Sequence, residues 1–372
     1  MNILWDMRLY STGYGNRGVG TYCTAVSRSL LSSSHPDYSF FVWGEPEELP
    51  SHLRSADVTI IPCHGENWKT TIATLPFIVL RHRIDLLHYW VALGPLPSIG
   101  LAPLLPVPSV ATIHDLGVEL WDTPHSTFMR MTPYWRMQRR FIRSVSGIIT
   151  NSYATCRSAC SSLRISGKPH TVAYPPFPQA EGTVAASERK PYCIALTGGP
   201  HKNLRSIITA FNRVHDSNPQ FRLVLLGAID STESVSMPLP EGITHEPSME
   251  RYEKHLRESS GMLFCSSEEG LGIPPVEAMR YGCPLLLSDI PPLRETCSSA
   301  ARFTDPASIE SIVEGINDLL VDTGRWSEAS LSGWNRYQTL SSETPERIFQ
   351  IYSQLLNKNG TPKSPAGPPR NR

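Results

Sequence analysis

Residues 266–277 contain the densest group of residues that could bind a ligand. Gly270 and Gly272 stand between two glutamates, Glu269 and Glu277. Glycine lets a backbone approach a ligand without interference from a Cβ atom. Free N–H groups just before a helix, together with the helix dipole, attract anions. This spacing therefore predicts an anion-binding loop with a carboxylate on each side of it.

The anion is predicted to be one part of a larger ligand. The backbone N–H groups expected to face it are those of Gly270, Leu271, Gly272 and Ile273. Bound phosphate would repel both flanking carboxylates, so Glu269 and Glu277 are expected to accept hydrogen bonds from hydroxyl groups. An anionic segment with diols on both sides describes a nucleotide sugar, which consists of ribose, diphosphate and hexose.

Regular elements on both sides are predicted to hold this loop in place. The apolar run Met262–Cys265 predicts a buried strand, and Pro274 and Pro275 suit the first positions of a helix. Gly282 stands where a left-handed residue would end that helix, and Leu285–Leu287 predicts a second buried strand. The order strand, loop, helix, strand is typical of an α/β fold with a parallel sheet.

The stretch Glu269-Gly-Leu-Gly-Ile-Pro-Pro-Val-Glu277 resembles the Glu-x7-Glu signature of the retaining glycosyltransferases of family 4. The resemblance covers about residues 1–357 and is strongest over 193–305. It implies the GT-B architecture, in which two Rossmann-like β/α/β domains face each other across a cleft. It also implies that Glu269 holds sugar hydroxyls near the anomeric carbon and that Glu277 holds the ribose. The alternative, a buried β–α unit with charged residues on its rim, would need neither the two glutamates nor the two glycines.

A second candidate loop, Thr197–Asn203, carries Gly199 and Lys202 just before a predicted helix. A lysine at a helix N-terminus beside glycines is well placed to bind a diphosphate. The family resembled here typically has an arginine directly before this lysine or five residues before it. Those two positions are His201 and Thr197 in this chain. Other candidates that could supply the missing positive charge are Arg8, Arg17 and Arg205. A plain helix-capping loop is the alternative.

A glycine-rich loop also follows the first predicted strand, Asn2–Trp5. Gly13-x-Gly15-x-x-Gly18 has the spacing of a dinucleotide fingerprint. Its first glycine comes well after the strand ends, whereas that fingerprint needs it directly at the turn. NAD binding is therefore not favoured. Asp6-Met-Arg8 and Gly18-Val-Gly20-Thr-Tyr22 resemble the opening of family 4 members, which implies that Gly18 and Gly20 lie near the donor diphosphate.

His114 is the candidate catalytic histidine. It directly follows the predicted strand Ser109–Ile113, within His114-Asp115-Leu116. Open α/β sheets bind ligands at the carboxyl ends of their strands. Many family members carry the same Thr-x-His-Asp-Leu, and this resemblance implies that His114 approaches the transferred sugar. A histidine that only satisfies its own loop is the alternative.

The chain is predicted to divide into two domains with a linker. The expected parts are an acceptor-side domain at 1–178, a linker at 179–192, a nucleotide-sugar domain at 193–344, a helix at 345–357 that crosses back to the first domain, and a disordered tail at 358–372. Proline-rich, aperiodic sequence before residue 193 indicates the linker. Asp305 is expected to cap a helix from Pro306 to Leu320.

Composition excludes several classes of protein. The formal net charge is zero, with 34 basic and 34 acidic residues, so nucleic-acid binding is not expected. The eight cysteines show no zinc-ligand spacing. Asp-x-Asp is absent from the sequence, so a metal-independent enzyme is expected, with the nucleotide-diphosphate sugar as co-substrate and no cofactor. Without a visible signal peptide or an apolar stretch of about 20 residues, the protein is expected to be cytoplasmic.

Residues 128–145 contain five arginines and no acid among aromatic and aliphatic residues. The commoner interpretation is a domain helix with one buried face. The alternative is a basic amphipathic surface that contacts anionic lipid, which would place the protein peripherally at the inner face of a membrane.

Together these patterns predict a retaining glycosyltransferase. It would move a hexose from a nucleotide-diphosphate sugar, GDP- or UDP-linked, to a glycan or glycolipid acceptor in polysaccharide, lipopolysaccharide or glycoconjugate assembly. The alternatives are a catalytically silent nucleotide-sugar-binding subunit and a nucleotide-sugar epimerase of the same architecture.

Overall fold

The computed structural model describes residues 1–12, 15, 17–33, 35–63, 68–93, 105–117, 132–178, 186–229 and 238–357. By its internal contacts the chain separates into two compact units. The first is Met1–Pro176 together with the chain from Leu340 onward, and the second is Phe177–Thr339. The predicted tail at 358–372 and the start of the basic segment at 128–131 lie outside the described residues.

The first unit is built on a parallel sheet. Its seven strands are β1 (Asn2–Asp6), β2 (Ser39–Trp43), β3 (Thr59–Ile61), β4 (Leu86–Tyr89), β5 (Ser109–Ile113), β6 (Gly147–Thr150) and β7 (His170–Val172). They lie in the order β3-β2-β1-β4-β5-β6-β7. Leu4 pairs with Phe41 on one side and with Leu87 on the other. Strands β4, β5 and β6 are buried along their whole length, which explains their nearly continuous apolar sequences.

Helices cover this sheet. They are α1 (Gly18–Ser32), α2 (Ser51–Ser55), α3 (Trp68–Arg81), α4 (Pro133–Ile142) and α5 (Tyr153–Leu163). In α4, Thr132 caps the N-terminus, and Trp135 and Ile142 are buried. Two arginines of the basic segment, Arg139 and Arg143, donate to main-chain oxygens at the C-terminal end of α5, at 2.9 and 3.0 Å. Those two cations therefore stabilise a helix end within the unit.

The second unit repeats the plan. Its strands are β8 (Lys190–Leu196), β9 (Arg222–Leu226), β10 (Ile243–Glu246), β11 (Ser259–Phe264), β12 (Leu285–Ser288) and β13 (Arg302–Thr304), in the order β10-β9-β8-β11-β12-β13 and all parallel. Its helices are α6 (Leu204–Ser217), α7 (Tyr252–Glu258), α8 (Ile273–Arg280), α9 (Pro291–Cys297), α10 (Ile309–Val321) and most of α11 (Thr323–Ser342). The predicted α/β class with two Rossmann-like halves is confirmed.

The last helix, α12 (Thr344–Leu356), packs on the first unit. The hydroxyl of Tyr352 accepts a hydrogen bond from the indole N–H of Trp5 at 3.2 Å and is 2.6 Å from Nδ1 of His88. Thr344 donates to the main-chain oxygen of Tyr174 at 2.6 Å. This end of the chain is therefore fixed to the first sheet by buried polar contacts as well as by its apolar face.

The N-cap of α10 differs from the expectation. Ser308, and not Asp305, caps α10, accepting a hydrogen bond from the main-chain N–H of Ser311 at 3.1 Å. Asp305 instead accepts from the N–H of Ala307 at 2.9 Å, which makes an Asx turn one step before the helix. Serine and aspartate are both good N-cap residues. Because the Asx turn occupies residues 305–307, the helix begins only at Ile309.

Residues 179–185 of the expected linker 179–192 lie outside the described residues, and residues 186–192 belong to the second unit. β8 already begins at Lys190, and the Arg189 side chain is buried. The Arg189 guanidinium donates to main-chain oxygens of Leu256, Arg257, Ser259 and Tyr281, at 2.8–3.2 Å. It therefore satisfies the C-terminal ends of both α7 and α8.

No helix among the described residues is long and apolar enough to cross a membrane.

Candidate functional site

Two loops of the second unit lie side by side at one edge of its sheet. β8 and β11 are neighbouring parallel strands, with Ile194 opposite Met262. Both therefore end at the same edge, and the loops that follow start next to each other. The main-chain N–H of Ser267 donates to the main-chain oxygen of His201 at 2.8 Å, which ties the two loops together. The sequence predicted ligand-binding roles for both of these loops.

The first loop holds Lys202 in a tightly determined position. Gly198 and Gly199 have φ angles of +116° and +132°, a conformation that favours glycine. A short 3-10 turn, Pro200–Lys202, follows. Asn203 then donates its side-chain amide to the main-chain oxygens of Cys265 and Pro306, at 3.2 and 2.8 Å. This amide anchors the C-terminal side of the turn to the end of the neighbouring strand.

Lys202 and Glu269 form an ion pair. Lys202 Nζ is 2.8 Å from Glu269 Oε1, and the two side chains are 14% and 13% exposed. The ammonium group also lies 4.4 Å from the centre of the Phe264 ring, a cation–π contact. Lys202, the residue predicted to bind the diphosphate, and Glu269, the residue predicted to bind the sugar, thus contact each other directly. A partly buried cation of this kind could hold an anionic group if that group replaces or joins the carboxylate.

The loop before α8 presents main-chain donors. Gly272 has φ +84°, and a Cβ atom there would lie 2.3 Å from Cδ2 of Leu293. The Thr296 hydroxyl lies 2.9 Å from the main-chain oxygen of Pro292 and 3.2 Å from that of Leu271, so it links the loop to α9. Within the described part of the chain, the N–H groups of Leu271 and Gly272 donate to no main-chain oxygen. Ile273 begins the helix, where a main-chain N–H has no intrahelical acceptor. The loop therefore offers the main-chain N–H groups of Leu271, Gly272 and Ile273 as donors, and an anion bound to them stays a prediction.

Glu277 lies one turn inside α8 and is partly buried. Burial raises the pKa of its carboxyl group to about 7, and a hydrogen bond from Tyr252 and the nearby Arg280 oppose that rise. The Tyr252 hydroxyl also lies 3.5 Å from the main-chain oxygen of Pro274. Tyr252 therefore lies beside Glu277 at the first turn of the helix. A carboxylate held in this way can accept two hydrogen bonds from a vicinal diol.

Two further candidate residues belong to the first loop region. Arg205 is exposed, at the second position of α6. His201 lies in the 3-10 turn, where its ring Nδ1 would be 3.0 Å from a Cβ atom at Gly199. Both lie in the second unit close in sequence to Lys202, and both keep the positions from which they could supplement it.

His114, in the first unit, is buried at the end of β5. Its Nε2 is 2.7 Å from the main-chain oxygen of Trp90, and its ring meets the Tyr22 ring edge-on at 4.8 Å. Asn151 donates to the main-chain oxygen of His114 at 2.7 Å. Burial lowers the pKa of the imidazole to about 4, so the ring is neutral at physiological pH. A carbonyl only accepts, so Nε2 carries the proton and Nδ1 is left as an acceptor.

The other first-unit candidates have structural contacts. A Cβ atom at Gly20 would lie 1.9 Å from the main-chain oxygen of Gly15, so glycine is needed for close packing there. Gly18 is the first residue of α1, and Arg17 is its exposed N-cap. Gly18 and Arg17 therefore lie at a helix N-terminus, a setting that suits an anion.

Arg8 has a well-defined environment. It is buried and forms a bidentate pair with Asp6, with both N–O distances 2.9 Å. It also donates to the Thr71 hydroxyl at 2.7 Å, and its guanidinium lies 3.6 Å from the centre of the Trp43 ring. These contacts favour a structural role for Arg8 over the diphosphate contact considered from the sequence.

The site thus gathers Gly199, Lys202, Glu269, the loop 270–273 and Glu277 within one unit. Sequence reasoning missed Tyr252, Asn203 and Thr296, which position these groups. Asn203 directly follows Lys202, so its position beside a candidate ligand was a usable signal. Tyr252 and Thr296 lie in separate helices, and only the fold shows what they contact.

Comparison with known proteins agrees with this reading of the fold. The family model described as Glycosyltransferase Family 4 matches residues 16–179, and the model described as Glycosyl transferases group 1 matches residues 185–331. The O-antigen chain mannosyltransferase RfbU of Salmonella typhimurium is 24% identical over 300 residues, which is 71% of this chain and 83% of that protein.

Solved structures resemble the chain over nearly its whole length. Sucrose-phosphate synthase from Thermosynechococcus elongatus gives a TM-score of 0.69 at 15% identity, covering 95% of this chain and 99% of that one. HepE of Anabaena, solved in complex with UDP and glucose, gives a TM-score of 0.64 at 15% identity, covering 95% and 98%. The fold is that of the GT-B glycosyltransferases, and the chain is a glycosyltransferase. It belongs to glycosyltransferase family 4.

Proposed function

We propose that the chain is a retaining glycosyltransferase that moves a hexose from a nucleotide-diphosphate sugar to a glycan or glycolipid acceptor. The name of the Salmonella relative, an O-antigen chain mannosyltransferase, supports lipopolysaccharide or related polysaccharide as the product class. It also makes a mannosyl donor the first to test. The proposal includes independence from a bound metal, because the sequence lacks Asp-x-Asp.

The observation that carries the proposal is the grouping of one cation, free main-chain donors and two carboxylates at a single sheet edge. Lys202 and the N–H groups of 271–273 lie at neighbouring loops of the second unit, and Glu277 lies one turn inside the helix that follows them. A diphosphate supplies the anion for the cation and the helix N-terminus. A ribose supplies the diol for Glu277, and a hexose supplies hydroxyls for Glu269.

In this proposal the chain mainly stabilises the leaving group. As the bond from the anomeric carbon to the diphosphate breaks, negative charge builds on the phosphate oxygen. Lys202 and the N–H groups of Leu271, Gly272 and Ile273 are arranged beforehand to stabilise that charge, which is an efficient form of catalysis. His114 of the first unit keeps the role that its family motif implies, a hydrogen bond to the transferred sugar.

A panel of nucleotide sugars tests the donor. Thermal unfolding is followed with GDP-mannose, UDP-glucose, UDP-galactose and ADP-glucose, because a ligand that binds only the native state raises its stability. We expect nucleotide sugars with one of the nucleobases to raise the unfolding midpoint of the wild type. The same compounds should raise the midpoint of the Lys202→Met variant little or not at all. If every nucleotide sugar leaves the midpoint unchanged, the donor assignment is wrong.

Product analysis tests the reaction. With the selected donor and a lipid-linked or free glycan acceptor, proton NMR of the new linkage should show the same anomeric configuration as the donor. An inverted configuration contradicts the retaining assignment. Activity should persist in chelator, and activity that is lost and then restored by manganese contradicts metal independence. Binding without transfer to any acceptor would favour the silent subunit, and an isomerised donor sugar would favour the epimerase.

A further inference from the structure

The Lys202–Glu269 ion pair affects how the site distinguishes the donor from the nucleoside diphosphate product. Its two groups are those proposed to bind different parts of the donor, the diphosphate and the sugar. In the structure they bind each other at 2.8 Å, with little exposure of either side chain. The positive charge that should attract the diphosphate is therefore already neutralised.

A diphosphate cannot take Lys202 without disturbing this pair. Its negative charge would lie close to the Glu269 carboxylate, and like charges at such distances in a partly buried site repel strongly. Moving the carboxylate away relieves the repulsion but leaves a poorly hydrated charge that needs new donors. The hydroxyl groups of a sugar are suitable donors.

We propose that Glu269 competes with the diphosphate for Lys202 whenever the sugar position is empty, and releases Lys202 when sugar hydroxyls engage its carboxylate. The inference rests on the proposed function, and it adds a way of discriminating donor from product. An intact nucleotide sugar replaces both partners of the ion pair. The nucleoside diphosphate left after transfer replaces only one of them, so re-formation of the pair promotes its release.

The surroundings of the pair support a contact that can re-form. Ser267 and His201 hold the two loops together through their main chains, and Asn203 fixes the turn that carries Lys202. Re-pairing therefore requires side-chain rotation and no movement of either loop. The centre of the Phe264 ring, 4.4 Å from Nζ, gives the ammonium group a second favourable contact beside the carboxylate.

Calorimetry on the full chain tests the proposal. UDP, GDP and their hexose-linked forms are titrated into the wild type, Glu269→Gln and Glu268→Gln. We expect Glu269→Gln to bind the nucleoside diphosphate about tenfold more tightly than the wild type, since Lys202 is no longer occupied. Its preference for the nucleotide sugar over the diphosphate should fall by at least that factor.

Glu268→Gln is the matched control because it removes the same charge from the same loop. It should change the affinity for the diphosphate by less than about threefold. In a Lys202→Met background, Glu269→Gln should bring no gain at all, because the cation for which it competes is absent. Unfolding midpoints of all variants confirm that they are folded.

The outcomes are distinguishable. Equal or weaker diphosphate binding by Glu269→Gln overturns the competition, and so does an equal gain in Glu268→Gln, which would indicate only a general charge effect. A wild type that binds neither form of any nucleotide overturns the proposed function as well.

Discussion

Nε2 of His114 lies 2.7 Å from the main-chain oxygen of Trp90, so the buried imidazole donates to a group that can only accept. This contact sets the tautomer and orients the ring at the end of β5. The neutral ring keeps Nδ1 as an acceptor for a donor group such as a sugar hydroxyl.

The first prediction concerns this histidine. Burial lowers the pKa of His114 to about 4, so pH–rate profiles should show no step from its protonation between about pH 6 and pH 8. His114→Ala should lower kcat by about 10–100-fold, because one hydrogen bond to the reacting sugar is lost. Its affinity for the nucleoside diphosphate should stay within about twofold of the wild type. Steady-state kinetics and calorimetry measure the two effects, and an unchanged kcat would show that His114 only supports its loop.

The second prediction concerns pH and donor binding. Burial raises the pKa of Glu277 to about 7, and its ionised form accepts hydrogen bonds from the ribose more strongly than the neutral form does. Affinity for the nucleotide sugar should therefore rise between pH 6 and pH 8, by up to about tenfold. A nucleotide sugar is the right probe because its diphosphate diester keeps a constant charge in this range. Glu277→Gln should bind more weakly and show a flat profile. A sloping profile in that variant would assign the titration to another group.

The same raised pKa affects stability without ligand. Between the ordinary value of 4.5 and about 7 the folded chain holds a proton on Glu277 that the unfolded chain has released. The free energy of unfolding therefore falls as pH rises through this window. Above the window the loss in free energy of unfolding is complete. Denaturant unfolding of the wild type and Glu277→Gln at pH 5 and pH 8 should show a larger loss with pH in the wild type.

The third prediction uses two glycines. Gly272 has φ +84°, and an added Cβ atom would meet Leu293 at 2.3 Å, whereas an added Cβ atom at Gly167 meets nothing within 4 Å. Gly272→Ala should cost about 2–4 kcal/mol of stability from backbone strain and crowding, and should weaken nucleotide binding. Gly167→Ala should be neutral or slightly stabilising. If chemical denaturation finds the two variants equally stable, the loop before α8 is not held in the conformation described.

The fourth prediction concerns Arg189, whose guanidinium bonds to four main-chain oxygens at the ends of α7 and α8. Arg189→Met leaves those oxygens with fewer partners in a buried setting. It should cost about 3 kcal/mol, or about 6–12 °C in the unfolding midpoint. Arg213→Ala, which breaks an exposed pair with Glu310, should shift the midpoint by less than about 2 °C. Calorimetry measures the unfolding midpoints. Equal midpoints in the two variants would contradict the role of Arg189 in capping α7 and α8.

The strands were the most predictable part of the fold. Leu285–Leu287 falls within β12, because a buried parallel strand is a short continuous apolar run bounded by turn residues. Helix α11 was not predicted, because its sequence is polar and serine-rich with no sharply separated apolar face. The choice of Ser308 over Asp305 as a cap depends on a turn that propensity alone does not determine.

The candidate site was predictable in its residue types and not in its contacts. The loop 270–273 follows from glycine and proline spacing within one short stretch. The Lys202–Glu269 pair joins residues 67 positions apart, and only the adjacency of β8 and β11 brings them together. The position of Tyr252 beside Glu277 likewise depends on how α7 packs against α8, which no local pattern encodes.

The most direct test of the donor site is a crystal structure of the chain with the nucleotide sugar selected by the thermal-shift panel. We predict that phosphate oxygens will lie within hydrogen-bonding distance of Lys202 Nζ and of the main-chain N–H groups of 271–273, with the ribose hydroxyls on Glu277. A diphosphate bound elsewhere in the chain, with the Lys202–Glu269 pair intact and the start of α8 unoccupied, would contradict this account.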